Sequence, residues 1–189
     1  MSDFTVLADV SETLLRLVRT QLTGLVAPDH VTLASPADVE LDTSPWLALF
    51  LYQVVESAQE KTGGMDRVDA THLRRPPTFV DLVYLVVPYA QTRENEYQIL
   101  GRVMQIFASQ SIIGGSWLQG SLAGSGEELR VMLHPLPMEE LLRLWNAFPN
   151  KPYKLSLCYL VSSIAIDSAL PPEAFPAVVT RELSMHSRP

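Results

Sequence analysis

The chain has 189 residues, which suits one domain plus a tail and is enough to bury about 70% of its unfolded surface without staples. Apolar residues at 47% and charged residues at 19% exclude a disordered chain, and a single cysteine excludes a disulfide framework and a multi-cysteine zinc site. Fourteen Lys and Arg against 21 Asp and Glu give a net charge of −7, the wrong sign for gripping a phosphate backbone, so nucleic acid is not an expected partner.

The N-terminus is acidic and shows no apolar signal region. The longest nearly uncharged stretch, residues 155–166, is shorter than the about 20 residues a membrane-spanning helix needs. The expectation is assembly in the cytoplasm without membrane insertion. In chain order, Val10, Leu14, Leu17, Val18, Leu22 and Leu25 fall on one face of a helix over residues 9–25. Asp9 and Glu12 have the spacing of a capping box, Val6 and Leu7 fit the same face and admit an earlier start, and Pro28 closes the helix. Residues 31–41, interrupted by Pro36, read as a short strand or edge segment. Residues 46–55 form a continuous apolar run rich in aromatics and valine, which predicts a strand buried on both faces. Residues 56–77 are polar and read as a surface loop of about twenty residues, a length at which loops are usually functional or mobile. It holds Arg67, Arg74 and Arg75.

Residues 79–87 predict a second buried strand ended by Pro88. A helix follows over residues 95–109, with Tyr97, Leu100, Met104, Phe107 and Ala108 on one stripe and Ile99, Val103 and Ile106 widening it. Gly101 inside that helix suggests close packing against another element. Five glycines between Gly114 and Gly126 mark a connector or hairpin. Residues 129–133 predict a strand. Met138, Leu141, Leu142, Trp145 and Phe148 then give the apolar face of a third helix stopped by Pro149. Residues 153–166 predict a long strand with Leu155, Leu157, Tyr159 and Val161 on one face and Ser156, Cys158, Leu160 and Ser162 on the other. From residue 168 a proline-rich leash leads to the strand-like Val178, Val179, Thr180, Arg181, Glu182 and Leu183. The expected architecture is α+β: one domain over residues 1–168, a mixed sheet of four to five strands packed with three helices, and an extended arm over residues 169–189.

The usual signatures of chemistry are missing. Gly115 and Gly120 have the spacing of a phosphate loop, but Ser121 follows where lysine is required. Gly120-Ser121-Leu122-Ala123-Gly124 has its serine one position too early for a hydrolase elbow. His30, His72, His134 and His186 are scattered, and Cys158 reads as a small core residue. Asp81 and Asp167 sit at ends of strand-like runs, where a structural role outweighs a catalytic one. Trp117 lies on no periodic face and is a candidate contact residue on a loop. No cofactor, no metal and no enzymatic activity are expected, and a strand on a leash suits addition to a neighbour's sheet edge.

Five ordered segments carry a resemblance. They are Leu47-Ala48-Leu49-Phe50-Leu51-Tyr52-Gln53-Val54, the run from Pro76-Pro77-Thr78-Phe79 through Val86, Leu100-Gly101-Arg102-Val103-Met104-Gln105, the helix around Leu141-Leu142-Arg143-Leu144-Trp145, and the run from Tyr153 through Val161 with Ile166-Asp167-Ser168. In order and spacing they resemble the tail-terminator, or cap, proteins of phage-tail-like contractile injection systems of the antifeeding-prophage and virulence-cassette type. Some members of that family carry an extra C-terminal module beyond this domain. The resemblance implies a structural protein. It would form a ring, a homohexamer, on the baseplate-distal end of tube and sheath, end their polymerisation, and hold sheath to tube. Its partners would be itself, the sheath protein and the tube protein, in a particle assembled in the cytoplasm and released in extracellular form. Arg67, Arg74, Arg75, Trp117 and residues 178–183 are the expected partner-binding positions. The alternatives are a monomeric protein-binding adaptor and an enzyme of unknown chemistry using Asp81 or Asp167.

Overall fold

The structure, a computed structural model, describes residues 4–39, 44–57, 66–67, 72–171 and 173–174. Among them are three α-helices, α1 (Val6–Gln21), α2 (Arg93–Ser109) and α3 (Met138–Asn146). The strands are β1 (Val31–Thr32), β2 (Trp46–Glu56), β3 (Asp66–Arg67), β4 (His72–Arg74), β5 (Thr78–Tyr89), β6 (Ile112–Gly114), β7 (Glu128–Leu133), β8 (Leu157–Ile166) and β9 (Glu173–Ala174). Six form one sheet in the order β1-β2-β5-β8-β7-β6, and β3-β4-β9 form a second, small one. Only the β1–β2 pair is parallel. The α+β class and the three helices are as expected, and the main sheet has six strands rather than four or five. Its outer strands β1 and β6 are two and three residues long, which leaves little edge for unwanted pairing.

The long strands sort their side chains by the two-residue period. Leu82, Tyr84 and Val86 of β5, with Leu47 and Leu49 of β2 and Tyr159 and Val161 of β8, join the core beneath α1 and α2. Leu85, Val87 and Tyr89, with Ala48 and Cys158, face the other way and pack against Leu141, Trp145 and Phe148 at α3. On α1, Val6, Val10, Leu14, Leu17 and Val18 are buried at the predicted spacing. Each such leucine contributes about 1.5–3 kcal/mol by leaving water. The Ser11 hydroxyl ties this helix to the sheet, 2.7 Å from the Tyr84 hydroxyl, and burial pushes the Tyr84 phenol up to about 12 against the pull of that bond.

Several boundaries differ from the sequence reading. Helix α1 starts at Val6 with Thr5 at its N-cap, so Asp9 lies in the first turn and forms no capping box with Glu12. It ends at Gln21, ahead of Gly24 at φ +91° and well before Pro28. Strand β2 is buried on both faces only over its first half; Gln53, Val54 and Glu56 are exposed. Strand β5 runs through Pro88, which pairs with Leu47. It can do so because β8 stops pairing at Val86, and proline is tolerated where a strand has an open side. Strand β8 begins at Leu157, and Leu155 is exposed.

On α2 the buried side is Glu96, Ile99, Leu100, Val103, Ile106 and Phe107, while Tyr97 and Met104 of the predicted stripe are exposed. Gly101 has no neighbour within 4 Å of where a Cβ would stand, so close packing is not its reason. On α3, Met138 and Leu142 are exposed. The polar loop of residues 56–77 contains β3 and β4 among its described residues, so it is not simply a loop. Asp81 is inside β5 rather than at a strand end. Its Oδ1 accepts a bond from the Ser163 amide (3.1 Å), where the β5–β8 register slips and Ser163 takes φ +64°. This carboxylate braces a bulge. Asp167 lies just beyond β8.

Candidate functional site

Two of the expected contact regions are described. The first is the small sheet. Strand β4 pairs on one side with β3, with Arg67 opposite Leu73 and Arg74 opposite Asp66, and on the other with β9. The backbone thus brings Arg67, Arg74 and Arg75 to one place; the side chains of Arg67 and Arg74 lie outside the described residues. The Arg75 guanidinium donates to Glu173 Oε1 at 2.9 Å. Both side chains are about half exposed, so the pair is worth at most about 1 kcal/mol. This sheet grows out of the β2–β5 hairpin and is joined by the chain that leaves β8. Residues 178–183 lie outside the described residues.

The second region is the glycine-rich connector between β6 and β7. It carries Trp117, the candidate contact residue, but not on an open loop. Trp117 is half-buried in a 3-10 turn and packs against the main core. The connector is fastened to α1 by polar bonds. The Thr13 hydroxyl, fully buried, accepts from the Gln119 amide (3.0 Å) and donates to the Asp9 carbonyl (2.7 Å). The Asp9 carboxylate accepts from the Ser121 hydroxyl (2.6 Å), the Ser121 amide (3.0 Å) and the Thr5 hydroxyl (3.0 Å). The Ser121 hydroxyl chiefly, and then its amide and Thr5, hold the Asp9 carboxyl below the usual range against the opposing effect of burial. Gly120 stands at φ +57°, and a Cβ there would lie 2.0 Å from Asp9 Oδ1. Only glycine lets the chain pass so close to the carboxylate. The structure puts Trp117 on the α1 side of the main sheet, in a different group of elements from the three arginines.

Among the described residues, the usual groups of an active site are not gathered. Burial pushes the Cys158 thiol up, away from the range of a nucleophile. His30 stacks on Trp46 with centroids 4.1 Å apart. Among the described residues no three His, Cys, Asp or Glu side chains could hold a metal together, and no helix is long and apolar enough to cross a membrane. Sequence reasoning missed one buried charge cluster. Glu96, 2% exposed, sits between Arg93 (Nη1 to Oε2, 2.9 Å) and Lys154, which also bonds it. Burial alone would raise its carboxyl, and the bonds and charges of Lys154 and Arg93 hold it below the ordinary value. The only signal was the spacing of Arg93 and Glu96; Lys154 is 58 residues further on.

The family described as the Pvc16 N-terminal domain matches residues 9–180. Among curated proteins none matches. Of solved structures, an extended-state sheath/tube terminator of the extracellular contractile injection system PVC is similar at 20% identity and a TM-score of 0.62, over 98% of this chain and 67% of that one. The tube-terminating cap of the anti-feeding prophage AFP is similar at 19% identity and a TM-score of 0.65, over 94% of this chain and 61% of that one. The chain therefore spans about two thirds of the length of these relatives and shares their fold.

Proposed function

Because the chain belongs to the Pvc16 N-terminal domain family, we propose that it is a tail terminator of a contractile injection system. It caps the baseplate-distal end of the inner tube and sheath, stops both from growing, and holds one to the other. The observation that carries this reading is the match to that family over residues 9–180, joined to a fold common to two terminating proteins.

A cap needs one surface that binds the polymer end and no second surface that offers the next subunit a seat. A closed ring meets both demands, because a head-to-tail interface that closes leaves no open end. We assign the ring a six-fold, homohexameric form, with sheath and inner tube as its partners. The small sheet with Arg67, Arg74 and Arg75, together with residues 178–183 that follow β9, forms the reading's contact region, with Trp117 as a second position. Assembly takes place in the cytoplasm, before the particle is released. The structural role leaves no activity to assign.

The test is the length of assembled sheath–tube particles by negative-stain microscopy, with and without this chain. Overlong, ragged or detached tubes in its absence are the expected result. Unchanged lengths with intact ends would reject the reading.

A further inference from the structure

A cavity of about 140 Å³ opens where the end of β5, the start of α2, α3 and the approach to β8 meet. Its walls include Tyr89, Arg93, Trp145, Lys151, Tyr153 and Lys154. That volume takes one side chain and is below the roughly 300–1,000 Å³ of sites for drug-sized ligands. The charge there runs against the rest of the chain. Three cations line it in a protein whose net charge is −7, and two of them, Arg93 and Lys154, share the carboxylate of Glu96.

The cations have donors to spare. Lys151 Nζ bonds the Val39 carbonyl at 2.8 Å, and Lys154 and Arg93 each bond Glu96. An ammonium carries three N–H groups and a guanidinium five, so most have no protein acceptor in these bonds. Tyr89 is 3% exposed, and its hydroxyl is buried without a hydrogen-bond partner. A buried hydroxyl left unpaired is costly, so it marks a place where an acceptor belongs. Lys154 stands 5.1 Å from the centre of the Tyr89 ring, and Trp145 and Tyr153 meet edge to face at 5.8 Å to give the cavity an aromatic wall. Such a wall suits a short methylene stem, which inorganic phosphate lacks.

We propose that this cavity is a binding site for the carboxylate of an acidic side chain, of glutamate size, presented by a protein partner. The stem lies on Trp145 and Tyr153, and the carboxylate accepts from Arg93, Lys151 and the Tyr89 hydroxyl. The site stands apart from the arginine-bearing small sheet and does not depend on the terminator reading.

The test uses the full chain in solution and follows the indole N–H resonances of its three tryptophans. The probe is N-acetylglutamate amide, blocked at its α-carboxyl. Its neutral twin N-acetylglutamine amide, N-acetylglycine with a free chain end, and inorganic phosphate serve as controls. The expected result is a saturable shift of the Trp145 resonance in the millimolar range, larger for the glutamate probe than for all three controls, with Trp46 and Trp117 unmoved. Tyr89→Phe should bind about three- to tenfold more weakly, the factor that one hydrogen bond carries, while its melting temperature stays equal or rises. Arg93→Gln should weaken binding as well. An equal response to the glutamine twin, a stronger one to N-acetylglycine or phosphate, or unchanged affinity in both variants would overturn the proposal.

Discussion

The face of the main sheet beneath α1 and α2 buries 27 of the described residues in one cluster, whereas the face beneath α3 buries nine. Two buried hydroxyls of the first face are paired, since Ser11 reaches Tyr84 and Thr13 both donates and accepts, although Gln110 Oε1 at the end of α2 has no partner. The second leaves a buried phenol, Tyr89, without a partner, and its helix turns Met138 and Leu142 outward. The difference teaches a division of labour. One face carries most of the buried apolar contacts, and the other carries fewer and leaves the Tyr89 hydroxyl unpaired.

That comparison breaks if the two faces respond alike to truncation. Leu17→Ala, at a fully buried position under α1, should cost about 3–4 kcal/mol in urea unfolding, by lost burial and the cavity left behind. Leu142→Ala on α3, 43% exposed, should stay within about 0.5 kcal/mol. Equal costs would mean that α3 is as integral as α1. At the seam between the faces, Glu96→Ala strips the acceptor from Lys154 and Arg93 and should cost about 3 kcal/mol, since breaking a buried ion pair leaves charge uncompensated.

The connector fastened to α1 gives a sharper and smaller effect. Gly120→Ala should destabilise by about 2 kcal/mol, through left-handed strain and the approach to Asp9. Asp9→Asn should cost about 1–2 kcal/mol. Because both changes disrupt one contact, the double variant should cost less than the sum. Asp9 also sets a sign with pH. Its carboxyl is held low in the folded state, so its contribution is complete above the ordinary aspartate value of about 3.9 and is lost as pH falls through the lowered folded value. Acid unfolding of the Asp9→Asn chain should lack that component. The smallest contrast lies in two phenols. Tyr84→Phe removes a bond to Ser11 and should cost about 1 kcal/mol, while Tyr89→Phe removes an unpartnered hydroxyl and should be neutral or stabilising.

The stable face was the legible one. The spacing of Val10, Leu14, Leu17 and Val18 and the long runs of β2, β5 and β8 are periodic over many residues, and burial follows period. The small sheet was not legible, because β3, β4 and β9 have two or three residues each and show no period. The turned face of α2 was hidden because Glu96 reads as an outward residue until Lys154 is brought to it by the fold. The setting of Trp117 was hidden for the opposite reason: the glycines read only as a connector or hairpin, and the Asp9 and Thr13 bonds that fasten it come from more than 100 residues away. Of the candidate contacts, the three arginines were found as a segment, and their gathering on one sheet came only from pairing.

The most direct test of the terminator reading is where the chain sits in a finished particle. Gold labelling of a tagged chain on intact sheath–tube particles should show label at the baseplate-distal end of each and nowhere along its length. Label spread along the sheath, at both ends, or on no particle would contradict it.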